Sequence, residues 1–302
     1  MSGIEPGSSR PELSVVIAAW NGPQALRACL ASLAAQISAR EVEVIVAANF
    51  AVGALRSEFP FARMLDPAEE ATVPKLRTAG VRAARGAIVA LVEDHVRFDA
   101  AWCREIRRAH EMPHAAIGGA VDNRNARGIV DWAAYWLDYG RYMPSDTAGP
   151  TATLCGANVS YKRAALQALE PLVRDGFFES VVHEALRRDG RSLYLAPGAI
   201  VYHDKRYRLA ETLVRSFHLA RSYAALRIEG GSTLTRIAHA MGAVALPVLL
   251  PARLAAHTLP KRRHIWELAT ALPVLVILEI GWALGEICGY LLGEGSSRRR
   301  WR

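Results

Sequence analysis

Residues Leu13 to Ala19 form a short apolar run, broken only by Ser14 and carrying the β-branched Val15, Val16 and Ile17. A run of this length and composition predicts a buried strand. It stops at Trp20-Asn21-Gly22-Pro23, a cluster of turn-forming residues. From Pro23 to Gln36 the pattern changes period: Leu26, Cys29, Leu30 and Leu33 recur at helical spacing, and Pro23 suits a helix start.

The unit repeats. Val42 to Ala47 predicts a second strand, Phe61 to Leu65 a short third, Pro74 to Arg85 a helix and Ala87 to Val92 a fourth strand. Strands alternating with helices predict an α/β fold with a Rossmann-like, mostly parallel sheet covered by helices on both faces. Ligands of such sheets bind at the carboxyl ends of the strands. The residues to interrogate are therefore Trp20-Asn21, Ala48-Asn49, Asp66 and Glu93-Asp94-His95. In the last trio, carboxylates and an imidazole emerge from a buried strand, a chemistry suited to a divalent cation that neutralises a diphosphate. A solvated acidic turn with a capping Asp is the other reading.

Further along, Thr153 to Arg163 reads as a loop, a short strand and a helix start, with small residues where backbone can approach a ligand closely. Phe177 to Gly190 predicts a helix carrying Glu179, His183 and Glu184. Glu179 and His183 are four apart and share a face. A zinc-protease pair is excluded because position 187 is Arg. Glu179 then reads either as an exposed helix Glu or as a catalytic base. Ser192 to Leu195 and Ala199 to His203 predict strands separated by Pro197-Gly198, with His203 at the end of the second. Tyr207 to Arg227 predicts a long helix rich in Arg.

Charge changes the picture for the last third. From Lys205 onward there are 15 Lys/Arg against six Asp/Glu, whereas the preceding residues hold 22 against 23. A near-neutral body with a basic, apolar tail points to anionic lipid rather than nucleic acid. Ile237 to Ala252 is apolar but contains His239, Pro247 and Pro251, and Leu268 to Leu292 is longer but interrupted by Glu279 and Glu286. A spanning helix needs ~20 apolar residues, so the second segment qualifies only with its acids sheltered. The basic clusters Lys261-Arg262-Arg263 and Arg298 to Arg302 would place a two-span hairpin against the positive-inside tendency, which keeps interfacial helices and a soluble helical pair as rival readings. The N-terminal Met1 to Glu12 lacks the apolar run of a secretory signal, and Cys29, Cys103, Cys155 and Cys288 fall in no metal or redox spacing.

The ordered motifs resemble glycosyltransferases of family 2. They are Leu-Ser-Val-Val-Ile-Ala-Ala-Trp-Asn-Gly-Pro at 13–23, Val73 to Gly80, Ala84-Arg85-Gly86, Glu93-Asp94-His95, Cys155-Gly156-Ala157-Asn158, Glu179, and Val201-Tyr202-His203. The resemblance implies a GT-A fold and an inverting transfer from a UDP- or GDP-sugar to a lipid-linked or cell-envelope glycan acceptor. It implies that Ala19, Trp20, Asn21, Asn49, Arg77, Asp94, Gly156 and Asn158 surround the nucleotide sugar. Glu93, Asp94, His95 and His203 would hold Mg²⁺ or Mn²⁺, and Glu179 would be the general base. Three positions depart from the family pattern: Asn49 follows the second strand where an Asp is usual, the metal motif ends in His95, and Ser180 follows Glu179.

The expected organisation is a flexible N-terminus at 1–12, a GT-A domain at 13–230 and a membrane-associated helical segment at 231–302. The catalytic body would stay in the cytoplasm, as at a bacterial inner membrane. Two other functions fit the same features: a catalytically silent scaffold that kept the fold, and a nucleotidyltransferase. The number of chains in the assembly is open.

Overall fold

All seven residues of β1 (Leu13–Ala19) are buried, as expected of a central parallel strand whose two faces are both covered. In the computed structural model, which describes residues 10–38, 41–68, 70–124, 127–145 and 147–300, the chain continues through α1 (Pro23–Leu33), β2 (Val42–Ala48), α2 (Gly53–Glu58), β3 (Ala62–Met64), α3 (Val73–Ala83) and β4 (Ile88–Glu93). Each lies where the apolar pattern puts an element, except that α2 was not anticipated. The expectations for residues 1–9 and for the last two residues fall outside the described residues.

The next elements carry the chain to the far side of the sheet: β5 (Val96–Phe98), α4 (Trp102–Ala109), β6 (Ala116–Asn123), α5 (Ile129–Tyr139), β7 (Gly149–Thr151), β8 (Asn158–Lys162), α6 (Arg163–Ala168), α7 (Glu170–Val173), α8 (Glu179–Arg188) and β9 (Leu193–His203). The strand order is β3-β2-β1-β4-β8-β6-β9-β5, with β7 also on β9. Neighbours among the first four strands are parallel, while β4–β8, β8–β6, β5–β9 and β7–β9 are antiparallel and β6–β9 is parallel. The sheet is therefore mixed, and its wholly parallel half is the one built from the alternating strands and helices.

Pro197-Gly198 does not split β9 into two strands. Gly119 of β6 pairs with Ala196, and the next residue, Ala120, pairs with Ile200. Residues 197–199 thus bulge out of an otherwise continuous strand, a place where a sheet tolerates proline.

Four further helices complete the chain: α9 (Leu209–Arg227), α10 (Thr233–Ala243), α11 (Leu246–Thr258) and α12 (Ile265–Leu292). The chain divides into two compact units, one comprising residues up to 124 and 142–204, the other 125–141 and 205–302. The first contains the whole sheet. The second gathers α5 with α9 to α12.

This division differs from a boundary at 230, and the packing inside the helical unit gives the reason. Gly281, Gly285 and Gly289 recur every fourth residue on α12 and face α9: a Cβ on Gly285 would run into the Phe217 carbonyl, and one on Gly289 into that of Arg221. Close backbone approach of this kind needs glycine on the contact face. The acids of α12 lie within the unit: Glu286 accepts hydrogen bonds from Trp282 Nε1 (3.0 Å), Tyr290 Oη (2.9 Å) and Arg227 (3.3 Å), and Glu279 is buried. Among the described residues, α12 is the one helix long and apolar enough to cross a membrane by itself, and α10 with the stretch 246–261 forms a pair bent by 60° that passes the same test together.

Candidate active site

The carboxyl ends of β1, β2 and β4 lie side by side, with Ala19 opposite Ala48 and Ala18 opposite Glu93. Beyond them β1 turns sharply at Trp20, Asn21 and Gly22, the last with φ 92°, a conformation that suits glycine. Asp94 organises this turn. Its Oδ2 accepts the backbone N–H groups of Trp20 (2.9 Å) and Asn21 (2.7 Å), and its Oδ1 accepts the Asn21 side-chain amide (2.7 Å). The Asp94 side chain is fully buried. These three N–H donors satisfy the oxygens of a side chain that water does not reach.

Asn21 Nδ2 also lies 3.2 Å from His95 Nδ1. The other ring nitrogen, His95 Nε2, is 3.4 Å from Glu93 Oε2. Asp204 N–H bonds to the His95 carbonyl (2.8 Å), which brings the end of β9 alongside, and the rings of His95 and His203 meet edge to face with centroids 5.1 Å apart.

Arg77 joins this rim to α8. Its guanidinium donates to Glu93 Oε1 (2.7 Å), to Glu179 Oε2 (2.6 Å) and to the Gly156 carbonyl (3.2 Å). Arg77 is buried, while the Glu93 and Glu179 side chains are 22% and 31% exposed and so can meet solvent or substrate. Burial works against the guanidinium charge, but the carboxylates of Glu179 and then Glu93 outweigh it and raise the Arg77 pKa. Glu179 is placed by α8, whose Val182, His183 and Leu186 are buried along the same face. A Cβ on Gly156 would lie 2.6 Å from Glu179 Oε1 and 3.0 Å from Arg77 Nη2, so the absence of a side chain at 156 admits the ion pair.

The positions singled out from sequence thus divide into two groups. Ala19, Trp20, Asn21, Glu93, Asp94, His95 and His203 converge through contacts on one another, and Arg77 with Gly156 links them to Glu179. Asn49 joins the strand ends by donating its N–H to the Ala19 carbonyl (3.2 Å), and its Oδ1 is buried with no hydrogen-bond partner. Asn158 is committed to the fold: its Oδ1 accepts from Trp102 Nε1 (2.9 Å), and its Nδ2 donates to the carbonyls of Ala120 and Ala199 (2.8 Å each). Trp102 was not anticipated, because nothing along the chain marks an indole as the partner of an amide 56 residues later.

Among the described residues no group of three or more His, Cys, Asp or Glu side chains is placed to hold a metal. Both Asp94 oxygens already accept hydrogen bonds and Glu93 Oε1 faces Arg77. The pair that fits a cation is Glu93 Oε2 with His95 Nε2. One or two protein ligands suffice where substrate phosphates complete the shell of a divalent cation, and here one of the two is a carboxylate. Cys29, Cys103, Cys155 and Cys288 are free thiols.

The family model for glycosyl transferase family 2 matches residues 14–170, more than half of the chain. No curated protein matches its sequence. Among solved structures, the mannosyltransferase PcManGT from Pyrobaculum calidifontis in complex with GDP-Man and Mn²⁺ is similar at 17% identity, with a TM-score of 0.50, over 90% of this chain and 76% of that one. GalNAc-T7 with UDP, GalNAc and Mn²⁺ is similar at 15% identity, with a TM-score of 0.51, over 66% of this chain and 45% of that one. These likenesses are of fold, and the fold is that of GT-A glycosyltransferases. The match over the strands and turns that build the rim makes this chain a member of glycosyl transferase family 2.

Proposed function

We propose that the protein is an inverting glycosyltransferase that moves a sugar from a UDP- or GDP-sugar to a lipid-linked or cell-envelope glycan acceptor, with Glu179 as the general base. The observation that carries this reading is the Arg77 bridge, which brings a half-buried carboxylate on α8 to the carboxyl rim of a family 2 sheet. GDP-Man and UDP in the two similar structures support the donor class.

In an inverting transfer the acceptor oxygen attacks the anomeric carbon as the bond from that carbon to the diphosphate oxygen breaks. Glu179 takes the acceptor proton, forming a neutral carboxylic acid. Arg77 fixes the carboxylate beforehand through Oε2 and remains paired with Glu93 once Glu179 is protonated. The turn held by Asp94 presents backbone at the strand ends, and the unpartnered Oδ1 of Asn49 accepts a donor from the nucleotide. Glu93 and His95 would hold a divalent cation together with the donor phosphates, and that cation would neutralise charge on the leaving diphosphate.

The helical segment supports placement at a membrane. Between 237 and 252, and between 268 and 292, no exposed position carries Lys, Arg, Asp or Glu, although Met241, Val244, Val248 and Leu292 are each more than 60% exposed. A helix bathed in water carries polar residues on its outer face, so these faces support a reading in which they meet an apolar medium. Trp266 is 81% exposed beside the Lys261-Arg262-Arg263 cluster, a pairing suited to an anionic membrane interface.

A screen of UDP- and GDP-sugars for donor hydrolysis and transfer, with and without Mn²⁺, by protein reconstituted in bilayer discs tests the reading. At least one donor should turn over, and Glu179→Gln should lower kcat by roughly 10²–10⁴-fold. Undiminished turnover in Glu179→Gln would overturn the base assignment.

A further inference from the structure

The helical unit contains a groove between α9 and α12 that the reaction just described does not use. It has a volume of about 350 Å³ and is lined by Leu213, Val214 and Phe217 of α9 and by Ile277, Ile280 and Leu284 of α12, with Gly281 and His218 completing the wall. Val214, Ile280 and Leu284 are 55%, 45% and 53% exposed, so the groove opens along its length onto the charge-free outer face of α12. An entrant from an apolar medium would reach it without crossing a charged rim.

One end of the groove is basic. His218 Nδ1 bonds to Ser297 Oγ (2.9 Å), which ties α9 to the short helical turn Ser297–Arg300. Arg221, one turn beyond His218 on α9, donates through Nε to the Gly293 carbonyl (2.8 Å) and lies against Gly295. Arg300 lies on the same turn as Ser297. The apolar walls thus end at His218, and the charges of Arg300 and Arg221 both act on its ring, with Glu294 the one acid in the adjoining stretch 293–297.

We propose that this groove binds the hydrocarbon chain of a single-chain lipid phosphate, with the phosphate at His218, Arg221 and Arg300. Apolar walls take hydrocarbon, whereas the guanidinium groups of Arg221 and Arg300 supply what a neutral lipid does not need: charge-assisted hydrogen bonds to phosphate oxygens. A wholly apolar partner helix would gain nothing from the basic end, and a soluble phosphate nothing from the walls. The proposal deepens the lipid-linked acceptor reading and rests on the membrane placement argued above.

The test uses full-length protein in discs of neutral phosphatidylcholine and a fluorescent farnesyl phosphate, with the matching farnesol as the uncharged control. Tight binding of the phosphate is expected, with Kd raised at least tenfold for farnesol, for Arg221→Gln and for Val214→Trp, which fills the groove from its exposed side. Ile280→Trp checks the opposite wall, and circular dichroism confirms that each variant keeps its helices. Equal binding of farnesol and its phosphate would overturn the basic end. Unchanged phosphate binding in both Trp variants would overturn the groove, as would a drop in oligomer mass in those variants with binding intact, which would make this face a contact between copies. Flotation with phosphatidylglycerol vesicles separates the two levels: protein that floats but fails these criteria loses only the groove, whereas protein that does not float loses the membrane reading beneath it.

Discussion

A methyl group on Gly156 would approach Glu179 Oε1 and Arg77 Nη2 to within 2.6 and 3.0 Å, so the smallest possible substitution acts directly on the ion pair. Gly156→Ala is expected to push Glu179 aside, and a displacement near 1 Å of a catalytic group costs about 10²-fold in rate. Steady-state kinetics should show the loss in kcat, with urea unfolding changed far less. Arg77→Lys tests the bridge differently: one ammonium cannot reproduce a fork that reaches Glu93, Glu179 and the Gly156 carbonyl together. Two buried histidines make a separate prediction for stability. Burial lowers the His183 pKa from 6.5 to about 4 against the raising effect of Glu179, and burial followed by Lys162 lowers that of His110 to about 3. Their folded-state pKa values lie below the unfolded value, so their contribution is present above pH 6.5 and is lost as pH falls towards 4 and then 3. Urea midpoints should therefore drop over that window. His183→Gln, which cannot take up a proton, should flatten the upper part of the drop; an unchanged slope would refute the assignment.

At the scale of elements, contact between α9 and α12 depends on three glycines in register, and Gly285 is the central one. Gly285→Val would drive a branched side chain into the Phe217 carbonyl and the Ala220 methyl. Overpacking of this kind costs about 1–3 kcal/mol. Loss of helical thermal stability on circular dichroism, with donor hydrolysis by the sheet retained, is the expected result. The same stripe shows what sequence reading reached and what it passed over. β1, β2 and β4 were legible as continuous apolar runs, and α1 because it buries one periodic set of apolar residues. β6 was not, because Gly118-Gly119 and Asp122-Asn123 interrupt its apolar run although all eight of its residues are buried. The glycines of α12 were hidden within an apolar segment that reads equally well as a generic span. Within the candidate site, Glu93-Asp94-His95 stood out because ionisable residues follow a buried strand. The division of labour inside the trio, with Asp94 holding a turn and Glu93 meeting Arg77, came from contacts spanning 16 to 74 residues that no local pattern encodes.

For the whole molecule, the order of segments along the chain does not follow the division into units. The helical unit takes 125–141 from between β6 and β7 as well as everything from 205, so a cut anywhere after 204 strands a helix without its partners. A chain ending at residue 230 keeps α5 and α9 but loses α12, against which both pack. It would expose the small-residue face of α9, including Ala220 and Ala224, together with Trp136 and Tyr135 of α5, all buried in the intact unit. Apolar surface of that kind drives association. Ending the chain at 204 still strands α5. A sheet-only form, made by ending at 204 and replacing 125–141 with a flexible Gly/Ser linker, removes every element of the helical unit. Size-exclusion chromatography of the three forms should give aggregates for the cuts at 230 and 204 and a monodisperse peak for the sheet-only form, which should also bind UDP or GDP by calorimetry. A monodisperse chain ending at 230, with its near-ultraviolet dichroism intact, would show that α5 and α9 belong with the sheet and would restore the boundary expected from the sequence.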